Sequence, residues 1–219
     1  MSADRIRIGG LVLAAGAARR FGAPKQLATL DGRPMLEHAL RAITAARGIA
    51  PVVVTLGANA EEIAREADLC GAQQVVVDGW EEGLSASLRA GVDALDNAGV
   101  DAIVITLGDQ PLVTAEAIEQ VAAAAGGPAP AARAVWGGAP GHPVLLTRPL
   151  FAAVASARGD EGARAALAGV AIAEIDCGPA SVIDIDTPAA LREVAAAPDR
   201  ATRRAPATAV ATSNQPAES

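Results

Sequence analysis

Tyrosine is missing from this 219-residue sequence, and two Trp and two Phe are its only aromatics. With 51% hydrophobic residues and so few rings, the core has to be assembled from Ala, Val, Leu and Ile. Cysteine is scarce too. Cys70 and Cys177 are too few and too far apart for a disulfide framework or a paired-cysteine metal site, and read as small buried hydrophobes of a reducing compartment. No apolar run approaches the roughly 18 residues of a membrane span. The N-terminal MSADRIR lacks the apolar stretch of a signal peptide, so a cytoplasmic protein with no membrane partner is expected. A net charge of −7 argues against a nucleic-acid partner, which needs a broad positive surface. Neither the dinucleotide fingerprint G-x-G-x-x-G nor the Walker pattern G-x-x-x-x-G-K-[ST] occurs, which removes the motif basis for an NAD module or a P-loop kinase.

What is present alternates. Apolar runs at 6–14, 51–57, 73–78 and 101–109 read as buried strands. Helical patterns separate them: one opened by Pro34 with Leu36, Leu40 and Ile43 on its stripe, one capped by Asn59, one capped by Ser85 with Leu88, Val92 and Leu95, and one starting at Thr114. Gly126–Arg133 reads as a loop. Beyond it the pattern predicts strands at 134–136, 142–146, 170–175 and 182–185. Helices are expected after Pro149, at Asp160 and from Asp186-Thr187-Pro188. Strand–helix alternation implies an α/β fold: a Rossmann-like, doubly wound, mostly parallel sheet flanked by helices, with ligands at the carboxyl ends of the strands. A single domain is expected over 1–197, its parts meeting between about 125 and 134. From Pro198 the chain has the composition of a disordered tail.

Three stretches could carry chemistry. In LAAGAARRFGAPKQL (13–27), small residues after a strand let consecutive N–H groups face one oxyanion, and Arg20 and Lys25 add a planar fork and a point charge. A positive loop on an acidic chain suits a small anion; equally, it is a solvated basic turn. Asp109 in LGDQP follows a strand and precedes a proline-fixed turn, where it could meet a hard cation beside a polyphosphate or merely cap the turn. In SVIDIDTP, strict alternation would send Asp184 and Asp186 off one face of a strand. Asp186 or Thr187 could instead cap the next helix, which makes Asp184 the better metal ligand of the two. His142, after a Gly-rich turn, is either a hydrogen-bonded turn residue or part of a site, and His38, in a helical stretch, is a solvent-facing or boundary residue.

In order along the chain, LAAG-x3-R-x-G-x2-K, W-x2-GLSASLRAG, LGDQPLV, GHPVLL, GDEGAR and DIDTP resemble the molybdenum cofactor nucleotidyltransferases of the nucleotide-diphospho-sugar-transferase-like superfamily. The likeness runs from about Ile6 to Val194 and is greatest to the cytidylyltransferase branch, where Ala15 stands in place of the glycine usual in guanylyl enzymes. The resemblance implies a Mg²⁺-dependent transfer of CMP from CTP to the terminal phosphate of molybdopterin-type molybdenum cofactor, with a recipient molybdoenzyme as a further partner. It implies that Leu13, Ala14, Ala15, Gly16, Gly83, Ser85, Ser87, Leu107 and Gly108 bind the nucleotide, and that Arg20 and Lys25 neutralise its phosphates. Asp109 and Asp184, with Asp186 as second choice, would hold the metal. Gly141, His142, Pro143, Asp160 and Arg164 would face the acceptor. Ala18 departs from the pattern, because many relatives place a hydroxyl there. The competing readings are a related enzyme using GTP or another phosphorylated acceptor, such as a sugar phosphate or an isoprenoid-precursor alcohol phosphate, and a non-catalytic cofactor-delivery protein. The latter has no need of the carboxylates or of Lys25.

Overall fold

The computed structural model describes residues 6–16, 21–159 and 166–197. The chain enters as β1 (Ile8–Leu13), makes a 3-10 turn at Lys25–Leu27, and forms a short hairpin of β2 (Thr29–Leu30) and β3 (Arg33–Pro34). Asp31 and Gly32 close that hairpin, both with positive φ (49° and 79°), as a two-residue Asp-Gly turn demands. There follow α1 (Met35–Ala45), β4 (Ile49–Leu56), α2 (Ala60–Glu66), β5 (Gln73–Val76), α3 (Leu84–Asn97), β6 (Ala102–Leu107) and α4 (Ala115–Ala122). The second part comprises β7 (Ala131–Trp136), β8 (Ala139–Thr147), α5 (Phe151–Ala155), β9 (Ile172–Asp176) and α6 (Pro188–Ala196).

One seven-stranded sheet takes the order β5-β4-β1-β6-β8-β7-β9. β5, β4, β1 and β6 run parallel, whereas β8 is antiparallel to both β6 and β7. β9 pairs parallel with β7. The apolar runs of β1, β4 and β6 are continuous because both sheet faces are covered there, whereas β5, expected to be buried, is an edge strand with Val76 largely exposed. Val12, Val54 and Val104 lie under Leu40, Ile63 and Ile118 of α1, α2 and α4. Leu11, Leu13 and Ile105 lie under Leu88, Val92 and Leu95 of α3 and under Phe151 of α5. From β1 the chain winds outward through β4 and β5, then returns across α3 to β6 on the other side of β1. The carboxyl ends of β1 and β6 therefore flank the switch point of the sheet, the place where open α/β sheets bind ligands.

Several local expectations need correction. Ser85 is not a cap: the N-cap of α3 is Gly83, and Ser85 lies inside the first turn. Asn59 stands at the N-cap of α2, but in a left-handed conformation and without a side-chain bond to the helix. Thr114 does cap α4, accepting from the Ala117 N–H at 3.3 Å. The strand expected at 134–136 starts earlier, at Ala131. Ala131 and Ala132 are fully buried, because pairing on both sides by β8 and β9 overrides their poor β propensity. No strand forms at 182–185. Gly178 (φ 78°) and Pro179 turn the chain into a 3-10 segment (Pro179–Val182), and an irregular crossover follows, whose backbone is tied to the end of β6 by a bond from the Ile185 N–H to the Asp109 carbonyl (3.0 Å). Thr187, with Pro188 in the first helical turn, caps α6 by accepting from the Ala190 N–H. That leaves Asp186 available for other partners. The helix expected at Asp160, its candidates Asp160 and Arg164, and Arg20 and the tail from Pro198 lie outside the described residues. Among the described residues, no helix is long and apolar enough to cross a membrane.

Candidate functional site

The two central strands end side by side, tied by a bond from the Gly108 N–H to the Leu13 carbonyl (3.0 Å). Beyond Leu13 the chain stays close to the sheet: the Ala14 N–H donates to Thr55, and Ala15 packs with Val77 and Ala86, against Trp80. The first loop is thereby joined to the opening turn of α3, where Ser85 and Ser87 are buried and the Ser85 hydroxyl lacks a hydrogen-bond partner. Gln26, 3% exposed, donates through Nε2 to the carbonyls of Ala14 (2.7 Å) and Gly16 (3.0 Å). By pulling those two carbonyls inward, it fixes where the glycine-containing loop begins. Sequence reasoning missed this residue, since a glutamine beside a lysine on a surface-like turn carries no burial signal. Gln26→Met, which keeps the volume and removes the donor, should cost about 1–3 kcal/mol in chemical denaturation by stranding the carbonyls.

Lys25 leaves the same 3-10 turn toward the opposite wall. Its Nζ lies 2.5 Å from Asp109 Oδ2 and 3.1 Å from Asp186 Oδ1. Burial disfavours the Lys25 ammonium, but the Asp109 carboxylate, its hydrogen bond and Asp186 outweigh it, and the group titrates above its ordinary value. Asp109 Oδ1 is buried and has no partner. Next to it, Gln110 is 2% exposed and donates through Nε2 to Asp184 Oδ1 at 2.7 Å. Asp184 titrates above the usual carboxylate range, through burial first and the Asp109 charge second, against the lowering effect of the Gln110 bond. The two late aspartates thus divide their partners. Asp186, the second choice from sequence, reaches Lys25, and Asp184 reaches Gln110.

β8 enters from the other side. Being antiparallel to β6, it brings its first residues to the carboxyl edge, where the backbone of Gly141 lies directly on the Ser181 carbonyl. His142 is pushed down to about 4 by desolvation, with the Asp109 carboxylate pulling weakly the other way. It is neutral at pH 7, so among the described residues the positive charge at this edge comes from Lys25. The sign of its effect on stability follows. The unfolded imidazole, with an ordinary value near 6.5, binds its proton before the folded one, so stability is complete above about pH 6.5 and falls as the pH drops toward 4. His142→Gln should remove roughly 3 kcal/mol of that loss, seen by comparing urea melts of the two proteins at pH 7 and pH 4.

The structure therefore gathers Leu13 to Gly16, Lys25, Leu107 to Asp109, Gly141 to Pro143, Asp184 and Asp186 around one sheet edge. Gly83, Ser85 and Ser87 adjoin it through Ala15. Among the described residues, no group of three or more His, Cys, Asp or Glu side chains is arranged to hold a metal ion. The donor set is nevertheless all carboxylate oxygen, one of them buried and unpartnered. That suits a hard divalent cation of the kind held by one or two carboxylates and completed by water and substrate phosphates.

The acid–lysine cluster stands at the switch point of a doubly wound sheet, where open α/β domains bind their ligands. The chain belongs to the MobA-like NTP transferase domain family, whose model matches residues 10–176. It is 37% identical over 144 residues to the 2-C-methyl-D-erythritol 4-phosphate cytidylyltransferase of Cereibacter sphaeroides, a match covering 61% of this chain and 63% of that one. It is 33% identical over 166 residues to the nicotine blue oxidoreductase of Paenarthrobacter nicotinovorans, covering 71% and 78%. Among solved structures, the Rv0371c homologue from Mycobacterium sp. strain JC1 superposes with a TM-score of 0.76 at 33% identity, covering 87% of this chain and 96% of that one. Rv0371C of Mycobacterium tuberculosis, in complex with manganese, superposes with a TM-score of 0.72 at 26% identity, covering 86% and 97%.

Proposed function

We propose that the protein is a Mg²⁺-dependent nucleotidyltransferase that moves CMP from CTP onto the terminal phosphate of molybdopterin-type molybdenum cofactor and releases pyrophosphate. The observation that carries this reading is the charged Lys25 held between Asp109 and Asp186 at the switch point, with the second oxygen of Asp109 buried and unpartnered. Family membership supports nucleotidyl transfer, and the cytidylyltransferase relatives support cytidine. The manganese complex of Rv0371C supports a divalent cation.

In this reading Lys25, with Arg20, neutralises the triphosphate and steadies the charge that shifts to the leaving pyrophosphate. Asp109, Asp184 and Asp186 would hold the cation, which supplies charge neutralisation and alignment of the phosphates. No residue needs to remove a proton, because a phosphate nucleophile is already anionic at neutral pH. What the chain supplies is position. Leu13 to Gly16, Gly83, Ser85, Ser87, Leu107 and Gly108 would line the nucleotide side, and Gly141, His142, Pro143, Asp160 and Arg164 the acceptor side, within one domain over 1–197. A recipient molybdoenzyme would take the product.

A second reading keeps the chemistry and changes the acceptor to another phosphate monoester. The 37% identity to an enzyme named for 2-C-methyl-D-erythritol 4-phosphate favours it. Incubation with Mg²⁺ and CTP plus either acceptor, followed by chromatography of the products and a pyrophosphate assay, separates the two. Pyrophosphate and a cytidine dinucleotide appearing with molybdenum cofactor alone is the expected result. Turnover with the sugar-alcohol phosphate alone establishes the second reading, and no pyrophosphate with either acceptor removes both.

A further inference from the structure

Lys25 stands where a cation is needed. Its Nζ bonds to Asp109 and Asp186 together, so one ammonium serves two carboxylates from distant parts of the chain. The side chain is only 17% exposed, tucked between those carboxylates, and it is charged. Yet the same ammonium is the group at this sheet edge best suited to a polyphosphate. It cannot be fully engaged with both, and a divalent cation on Asp109 would face a like charge in contact.

We propose that Lys25 plugs the cation position of the ligand-free protein by spanning Asp109 and Asp186, and that it gives way only when a nucleotide's phosphates draw its ammonium off. This rests on reading the site as one for a triphosphate and a divalent cation. The charges state the same case. With Lys25 in place, Asp109 and Asp186 together with its ammonium offer a dication a net −1; with the lysine drawn off, the same two carboxylates offer −2 and no like charge in contact. With Lys25 turned onto the phosphates, Asp109 would be released to hold the cation, and its buried Oδ1, which has no partner, is a ligand atom in reserve. The flexible four-carbon stem of lysine permits that swing without movement of the sheet. Cation and nucleotide then bind as a unit, and the protein does not load with metal in advance.

The test is titration of the full-length protein with Mn²⁺ alone, without nucleotide, reading free Mn²⁺ by electron paramagnetic resonance. Lys25→Gln should bind Mn²⁺ about tenfold more tightly than the parent protein, although it is the variant that loses nucleotide binding. Lys25→Arg keeps a cation on the carboxylates and should stay within about twofold of the parent. Lys25→Met serves the same comparison should the Gln variant not fold. Equal or weaker Mn²⁺ binding by the neutral variants, or equal tightening by Lys25→Arg, overturns the proposal. Adding Asp109→Asn to Lys25→Gln distinguishes the two levels of failure. If Asp109→Asn weakens Mn²⁺ binding while Lys25→Gln fails to strengthen it, the plug is wrong and the cation site stands. If Asp109→Asn changes nothing, the reading of the site falls with it.

Discussion

Asp109→Asn should lower Mg²⁺-dependent pyrophosphate release from CTP, the proposed reaction, by about 10²–10³-fold, with stability lowered by about 1–3 kcal/mol as the mostly buried Lys25 loses its nearer charged partner. The substitution is isosteric, so the turn after β6 and the bond from Ile185 to the Asp109 carbonyl remain. What goes is an anion at the end of β6, a carboxylate with one oxygen on Lys25 and the other buried without a partner. Steady-state rates at saturating CTP, with a melting curve for the same preparation, check both halves. Near-normal turnover at ordinary Mg²⁺ would remove the role assigned to Asp109. Lys25→Ala should lose a comparable factor, since it deletes the ammonium proposed to meet the phosphates.

Gly141→Ala is expected to be nearly as damaging from outside the charged cluster. A Cβ built at Gly141 runs into the carbonyl oxygen and carbon of Ser181, and both are backbone that cannot rotate away. β8 is fixed in the sheet between β6 and β7, so the irregular crossover from Ser181 onward has to move instead. That crossover carries Asp184 and Asp186. The overpacking should cost about 2–3 kcal/mol, or roughly 5–10 °C in melting temperature, and turnover should fall by about tenfold as the carboxylates leave Gln110 and Lys25. Lost stability with full activity would show that the two aspartates tolerate displacement and do not set the rate.

The α/β architecture was legible because its signals are dense and local. Val, Ile and Leu runs marked β1, β4 and β6, and Leu36, Leu40 and Ile43 recur at helical spacing on α1. Thr114 and Thr187 carry their caps in the residue itself. The carboxyl-end location of the site follows from the alternation, and Lys25 and Asp109, 84 positions apart, do meet there. The rest is decided by contacts that no window along the chain contains. SVIDID alternates like a strand, but Gly178, Pro179 and the close approach of Gly141 bend it into a crossover, so Asp184 and Asp186 find different partners. Ala131 and Ala132 become buried strand only because β8 and β9 flank them. Gln26 and Gln110 look like solvent-facing amides in sequence and prove to be almost fully buried, each holding a neighbouring element in place.

The central claim is that this sheet edge binds a cytidine triphosphate together with a divalent cation, and thermal stabilisation tests it most directly. The protein is melted with CTP, GTP, ATP or UTP, each with Mg²⁺, and again as the Asp109→Asn variant. CTP at 100 times its dissociation constant should add about 2.7 kcal/mol, roughly 5–10 °C for a chain of this size. The other three nucleotides should add distinctly less, and the CTP shift should collapse in the variant. Equal shifts with all four nucleotides, or none with any, would contradict the account.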